Sequence, residues 1–139
     1  MFEYKYSLEA DVAPEAVYAL YRDVTTWTSW DPGVEAIALD GPFEAGATGT
    51  FTPTGAGPLP FTILSAQSGR GFVDEFPLPG ATLRGTHVLT LLDGGRTRIT
   101  HRMELDGPAA AELAPTFMPG VTDDIPLTVA NLARQAETR

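Results

Sequence analysis

The chain has no cysteine, only two histidines, and nine basic residues against 18 acidic ones. Without cysteine there are no disulfides and no thiolate ligands. Two histidines with no HExxH pattern and no convincingly placed carboxylate make an incomplete metal site, so neither a metal nor another cofactor is expected. A formal net charge of -9 would repel a phosphate backbone, which argues against nucleic acid as a partner. No apolar run approaches the roughly 20 residues that cross a bilayer, so membrane insertion is not expected either. The start Met1-Phe-Glu-Tyr-Lys5 lacks the basic and apolar stretches of a secretory signal, and the expected location is cytoplasmic. No GxxxxGK or GxGxxG follows a strand and opens a helix, which leaves no phosphate-binding loop.

What is present fits one domain over residues 1–139, long enough to bury a core and a cavity. Phe2 to Ala10 alternates apolar with polar, the pattern of a strand with one face on the core. Pro14 opens a helix in which Val17, Leu20, Tyr21 and Val24 recur at helical spacing, and a second short helix holds Trp27 and Trp30 before Asp31-Pro32-Gly33 stops it. Short β-type segments follow at about 34–40, 47–53, 60–67, 71–76, 81–92 and 96–106, separated by Gly and Pro turns. In the last third, Ala109 to Leu113 favours a helix that Pro115 ends or bends, and Met118-Pro-Gly120 sets it apart from the final segment. Thr122 can cap that segment, in which Val121, Ile125, Val129, Leu132, Ala133 and Ala136 form one stripe, predicting a helix over about 121–137 with Arg134 and Arg139 toward its end.

Seven antiparallel strands with a polar outer face need a cover for the inner one, and only the last helix is long enough. The expected class is α+β: a helix-grip fold, a curved seven-stranded antiparallel sheet around a long C-terminal helix, with two short helices after strand 1. Such packing leaves space for an apolar ligand. Parity points Tyr4, Tyr6, Phe51, Phe61, Ile63, Leu89, Ile99 and Met103 toward that space, and Trp30 stands at its corner.

The two histidines fall on consecutive strands. His101 shares a face with Ile99, Met103 and Leu105, and His87 shares a parity with Leu89 and Leu91. A three-residue loop through Asp93-Gly-Gly95 pairs His87 with His101, whereas a two-residue Gly94-Gly95 turn sets Val88 opposite His101. In Phe72-Val-Asp74-Glu75-Phe76 inward phenylalanines bring Asp74 inward, and the opposite parity brings Glu75. Histidine exchanges protons near neutral pH, so the histidine pair with Asp74 is the candidate catalytic group. Arg84 lies off the His87 face, and the other hairpin arginines sit mostly on the polar outer side.

Ala13-Pro-Glu-Ala-Val-Tyr18, Trp27-Thr-Ser-Trp30-Asp-Pro32-Gly-Val34, Gly49-Thr-Phe51, Gly95-Arg-Thr97-Arg-Ile-Thr-His101 and Pro126 to Glu137 together resemble the START-like, Bet v 1-like (SRPBCC) superfamily, in its polyketide cyclase/dehydrase and lipid transport branch. The resemblance spans nearly the whole chain and rests on fold-forming motifs. It implies a helix-grip cavity for lipids, sterols, hormones or aromatic polyketides, without one shared chemistry. The expected partner is therefore a small hydrophobic or aromatic molecule, and the leading function is its binding, with polyketide cyclisation or dehydration as the candidate reaction. The alternatives are a non-catalytic lipid or small-molecule carrier or sensor, and a co-chaperone-type interaction domain. A homodimer is left open.

Overall fold

A computed structural model describes residues 1–138. The order is β1 (Phe2–Ala10), α1 (Pro14–Arg22), α2 (Trp27–Trp30), β2 (Val34–Leu39), β3 (Thr48–Pro53), β4 (Leu59–Gln67), β5 (Gly71–Leu78), β6 (Ala81–Leu91), β7 (Thr97–Asp106), α3 (Ala110–Thr122) and α4 (Ile125–Glu137). The seven strands form one antiparallel sheet in the order β1-β7-β6-β5-β4-β3-β2. Chain neighbours pair throughout β2 to β7, and β1 closes onto β7. The expected helix-grip architecture is the one observed.

The pleat sorts the central strands cleanly. Phe72, Asp74 and Phe76 of β5, Leu83, Gly85 and Leu89 of β6, and Ile99, His101 and Leu105 of β7 are buried, while most of the intervening residues are more exposed. Outward arginines form surface pairs, Arg84 with Glu75 at 2.7 Å and Arg102 with Glu3 at 2.6 Å. Exposed pairs of this kind add at most about 1 kcal/mol each. Inward side chains meet α1, through Val17, Leu20 and Tyr21, and α4, through Val129, Leu132 and Ala136, to make the core.

The helical third departs from expectation. α3 runs through Pro115, Pro119 and Gly120 without ending. Both prolines face solvent, where water can hydrate the carbonyls that lose their partners, while Met118 is buried and Leu113 and Phe117 pack against the core. The break falls at Asp123–Asp124, later than expected. Thr122 does not cap the last helix but ends α3, its hydroxyl donating to the Met118 carbonyl at 3.0 Å. α4 then starts at Ile125 with Pro126 in its first turn, where proline costs little. Arg134 sits in its last turn; Arg139 lies outside the described residues.

Candidate active site

The β6–β7 turn sets the register on which the site depends. Leu92 N–H donates to Arg96 O at 2.8 Å, and Gly94 (φ 77°) and Gly95 (φ 79°) take left-handed conformations that other residues rarely adopt. This is the three-residue loop, and it pairs His87 with His101. Their rings meet edge to face with centroids 4.6 Å apart.

Each imidazole is held from a different direction. His87 stacks on Phe72, centroids 4.0 Å apart and planes within 5°, and its Nδ1 lies 3.3 Å from the Phe72 carbonyl. A carbonyl only accepts, so Nδ1 carries the proton and Nε2 keeps its lone pair. His101 Nε2 lies 2.7 Å from Tyr21 Oη, a fully buried contact reaching from α1 to β7. Burial pushes the His87 pKa down to about 4 and holds His101 well below the usual histidine range, with His87 adding to the effect. Both are neutral at physiological pH. Burial likewise holds the Tyr21 phenol well above its ordinary value, so it keeps its proton.

Asp74, not Glu75, faces inward; Glu75 goes out to Arg84. Asp74 is 4% exposed, and its Oδ1 has no hydrogen-bond partner. Burial raises its pKa to about 8, against the opposing pull of its own amide and that of Gly85. It is a carboxylic acid at neutral pH. Space for it comes from the facing residue, Gly85. A Cβ there would stand 2.5 Å from Asp74 Oδ1 and 2.9 Å from His87 Cε1. The missing side chain therefore lets acid and imidazole approach one another in the middle of the sheet.

These groups line a cavity of about 540 Å³ between the sheet and α2, α3 and α4, a size suited to a small organic ligand. Its walls include Trp27, Trp30, Phe51, Phe72, Phe76, Leu83, Met103 and Phe117, with Asp74, His87 and His101 among them. A second hollow of about 680 Å³ borders Glu15, the 68–71 turn and residues 86–91 and is open to solvent. It contains no buried acid. Among the described residues no cluster of His, Asp and Glu is suited to a metal ion, and no helix is long and apolar enough to cross a membrane.

Of the residues expected at the ligand, the structure brings Trp30, Phe51, Met103, His87, His101 and Asp74 to the cavity. Six others are not on its wall. Phe61, Ile63, Leu89 and Ile99 are buried in the core, and Tyr4 and Tyr6 pack against that core from the edge strand β1. Parity gives the face of the sheet, but parts of that face are covered, by α1 over β6, by α4 over β7 and by Phe51 and Phe76 around Phe61, and there inward side chains pack instead of lining space. Tyr21, Trp27, Phe72 and Asp31 figure in the sequence only as fold-forming residues, not as site residues. For Tyr21 a signal existed: a tyrosine on the buried stripe of a helix must find a partner for its hydroxyl.

Comparison with solved structures places the fold firmly. Norcoclaurine synthase from Thalictrum flavum, in complex with dopamine and hydroxybenzaldehyde, superposes with a TM-score of 0.77 at 11% identity, over 99% of this chain and 87% of that one. A protein from Thermobifida fusca gives 0.72 at 22% identity over 98% and 93%, and Ara h 8.0201 gives 0.77 at 10% over 99% of both chains. At these identities the likeness is one of fold. No protein of curated function matches by sequence. A family model does, over residues 1–137, which covers every element of the sheet and both final helices. The chain belongs to the polyketide cyclase / dehydrase and lipid transport family.

Proposed function

We propose that the cavity binds a small aromatic or hydrophobic carbonyl compound and that Asp74 and His87 carry out acid–base chemistry on it, of the kind that polyketide cyclisation and dehydration require. The observation that supports this reading is the protonated Asp74 carboxyl, its Oδ1 without a partner, beside an imidazole whose Nε2 lone pair is free. The family and the aromatic walls favour such an occupant, as the carbonyl and aromatic partners of norcoclaurine synthase also do.

For loss of water from a β-hydroxy ketone, His87 Nε2 takes the proton alpha to the carbonyl, and the electron pair of that C–H bond forms the new double bond. The C–O bond to the hydroxyl breaks, and Asp74 supplies the proton with which the hydroxyl leaves as water. The imidazolium then returns its proton to the Asp74 carboxylate, restoring two neutral groups. His101, hydrogen-bonded to Tyr21, packs against the His87 ring and fixes its position.

Deuterium uptake at the alpha carbon of acetylnaphthalene, followed by NMR in D2O, tests the first step. The protein should accelerate exchange, and His87→Ala should abolish the acceleration while the ketone still binds. Binding without exchange in the native protein would reduce the function to that of a carrier.

A further inference from the structure

The charged groups around the cavity are all of one sign. Asp31 and Asp124 line it together with the neutral Asp74 acid, and no lysine or arginine among the described residues does. The opening lies where the lining residues are exposed, between the 54–58 turn linking β3 to β4 and the α3–α4 junction. Asp124 stands at that junction as the residue preceding α4. Asp31, at the end of α2, is half-buried and oriented, its Oδ1 accepting from Gly33 N–H at 2.9 Å and from Thr128 Oγ1 at 3.3 Å. Deeper in, the Asp74 carboxyl is buried at the cavity wall with its Oδ1 unpartnered.

We propose that Asp31 and Asp124 act as a charge filter at the entrance, so that the cavity takes neutral or cationic molecules and rejects those bearing a carboxylate or phosphate. An anion entering would pass two carboxylates and find no cation inside to meet it, in surroundings too apolar to screen the repulsion. A neutral carbonyl or hydroxyl oxygen instead satisfies the Asp74 O–H. Free fatty acids and phospholipid headgroups are thereby excluded, and uncharged aromatic ketones and phenols, or amines, are admitted. The inference deepens the carbonyl-ligand reading above and rests on it for the location of the site.

Binding of three naphthalene probes of similar size, acetylnaphthalene, naphthoate and naphthylmethylamine, followed at pH 7 by the fluorescence of Trp27 and Trp30, tests it. Naphthoate should bind at least about tenfold more weakly than the ketone, a difference of about 1.4 kcal/mol, and the amine at least as tightly as the ketone. Asp124→Asn keeps a good helix-capping residue and should narrow the ketone–naphthoate gap. With Asp31→Asn added the gap should close to about threefold or less, equivalent to about 0.6 kcal/mol. Naphthoate binding as well as the ketone, or a gap untouched by both substitutions, would overturn the filter while leaving the acid–base reading intact. Ketone binding without alpha-carbon exchange would overturn that reading and leave the filter standing. If no probe binds, both fall.

Discussion

Tyr21 Oη and His101 Nε2, 80 positions apart in sequence, stand 2.7 Å from each other in the core, and this bond ties α1 to the centre of the sheet. Replacing Tyr21 by Phe leaves the ring packing and removes only the hydroxyl. The His101 nitrogen is then buried without a partner, at a cost of about 1–3 kcal/mol. Urea unfolding of Tyr21→Phe should show that loss, and the His101 imidazole resonances should shift far more than those of His87.

Stability should peak near pH 6.5 and fall on both sides. Below about 6.5 the unfolded histidines take up protons that the folded ones refuse, so the folded state loses stability as pH drops toward 4. Asp74 acts in the opposite sense: unfolded it loses its proton near 3.8, folded it holds it to about 8, so stability declines as pH rises through that window. Each group contributes a slope of up to about 1.4 kcal/mol per pH unit. Denaturation of Asp74→Asn from pH 5 to 9 should lack the alkaline decline. An unchanged alkaline limb would mean that Asp74 is ionised at neutral pH.

Gly85→Ala introduces a methyl group 2.5 Å from Asp74 Oδ1. It should destabilise the protein by about 1–3 kcal/mol and abolish alpha-carbon exchange by separating acid and base. Gly57→Ala, with nothing within 4 Å of the new Cβ, is the control and should stay within about 0.5 kcal/mol of the parent.

Pro115 and Pro119 lie inside α3 on its solvent side. Replacing either by Ala restores a backbone donor within the helix and should raise stability by about 1–3 kcal/mol in thermal melts, with ketone affinity unchanged. A loss of affinity would show that the missing bonds help shape the cavity.

The strands were legible because each alternates on its own, from Phe2 to Ala10 and from Thr97 to Asp106, and because Gly and Pro mark the turns between them. The His87–His101 pairing was legible only as one of two options, since loop length and not strand pattern decides it. Asp74 against Glu75 was ambiguous for the same reason: parity is relative until one inward residue is known. The boundary between wall and core was not legible. Ile99 and Met103 share a face of β7, yet Ile99 packs in the core and Met103 lines the cavity, because the helices covering them come from distant parts of the chain. Tyr21 was hidden in the same way: a helical stripe marks it as buried without saying which strand it will meet.

The Asp93–Gly95 turn lies at the far end of the hairpin from Asp74, yet it governs which chemistry the cavity can contain. Side chains alternate along β7, so adding or removing one residue in that turn would rotate the strand's pattern by half a period. His101 and Met103 would exchange places with Thr100 and Arg102. One insertion there would bring Arg102 to the cavity side in place of a neutral side chain, without any substitution in the wall. In this fold, loop length is thus a determinant of ligand choice as direct as any substitution in the pocket.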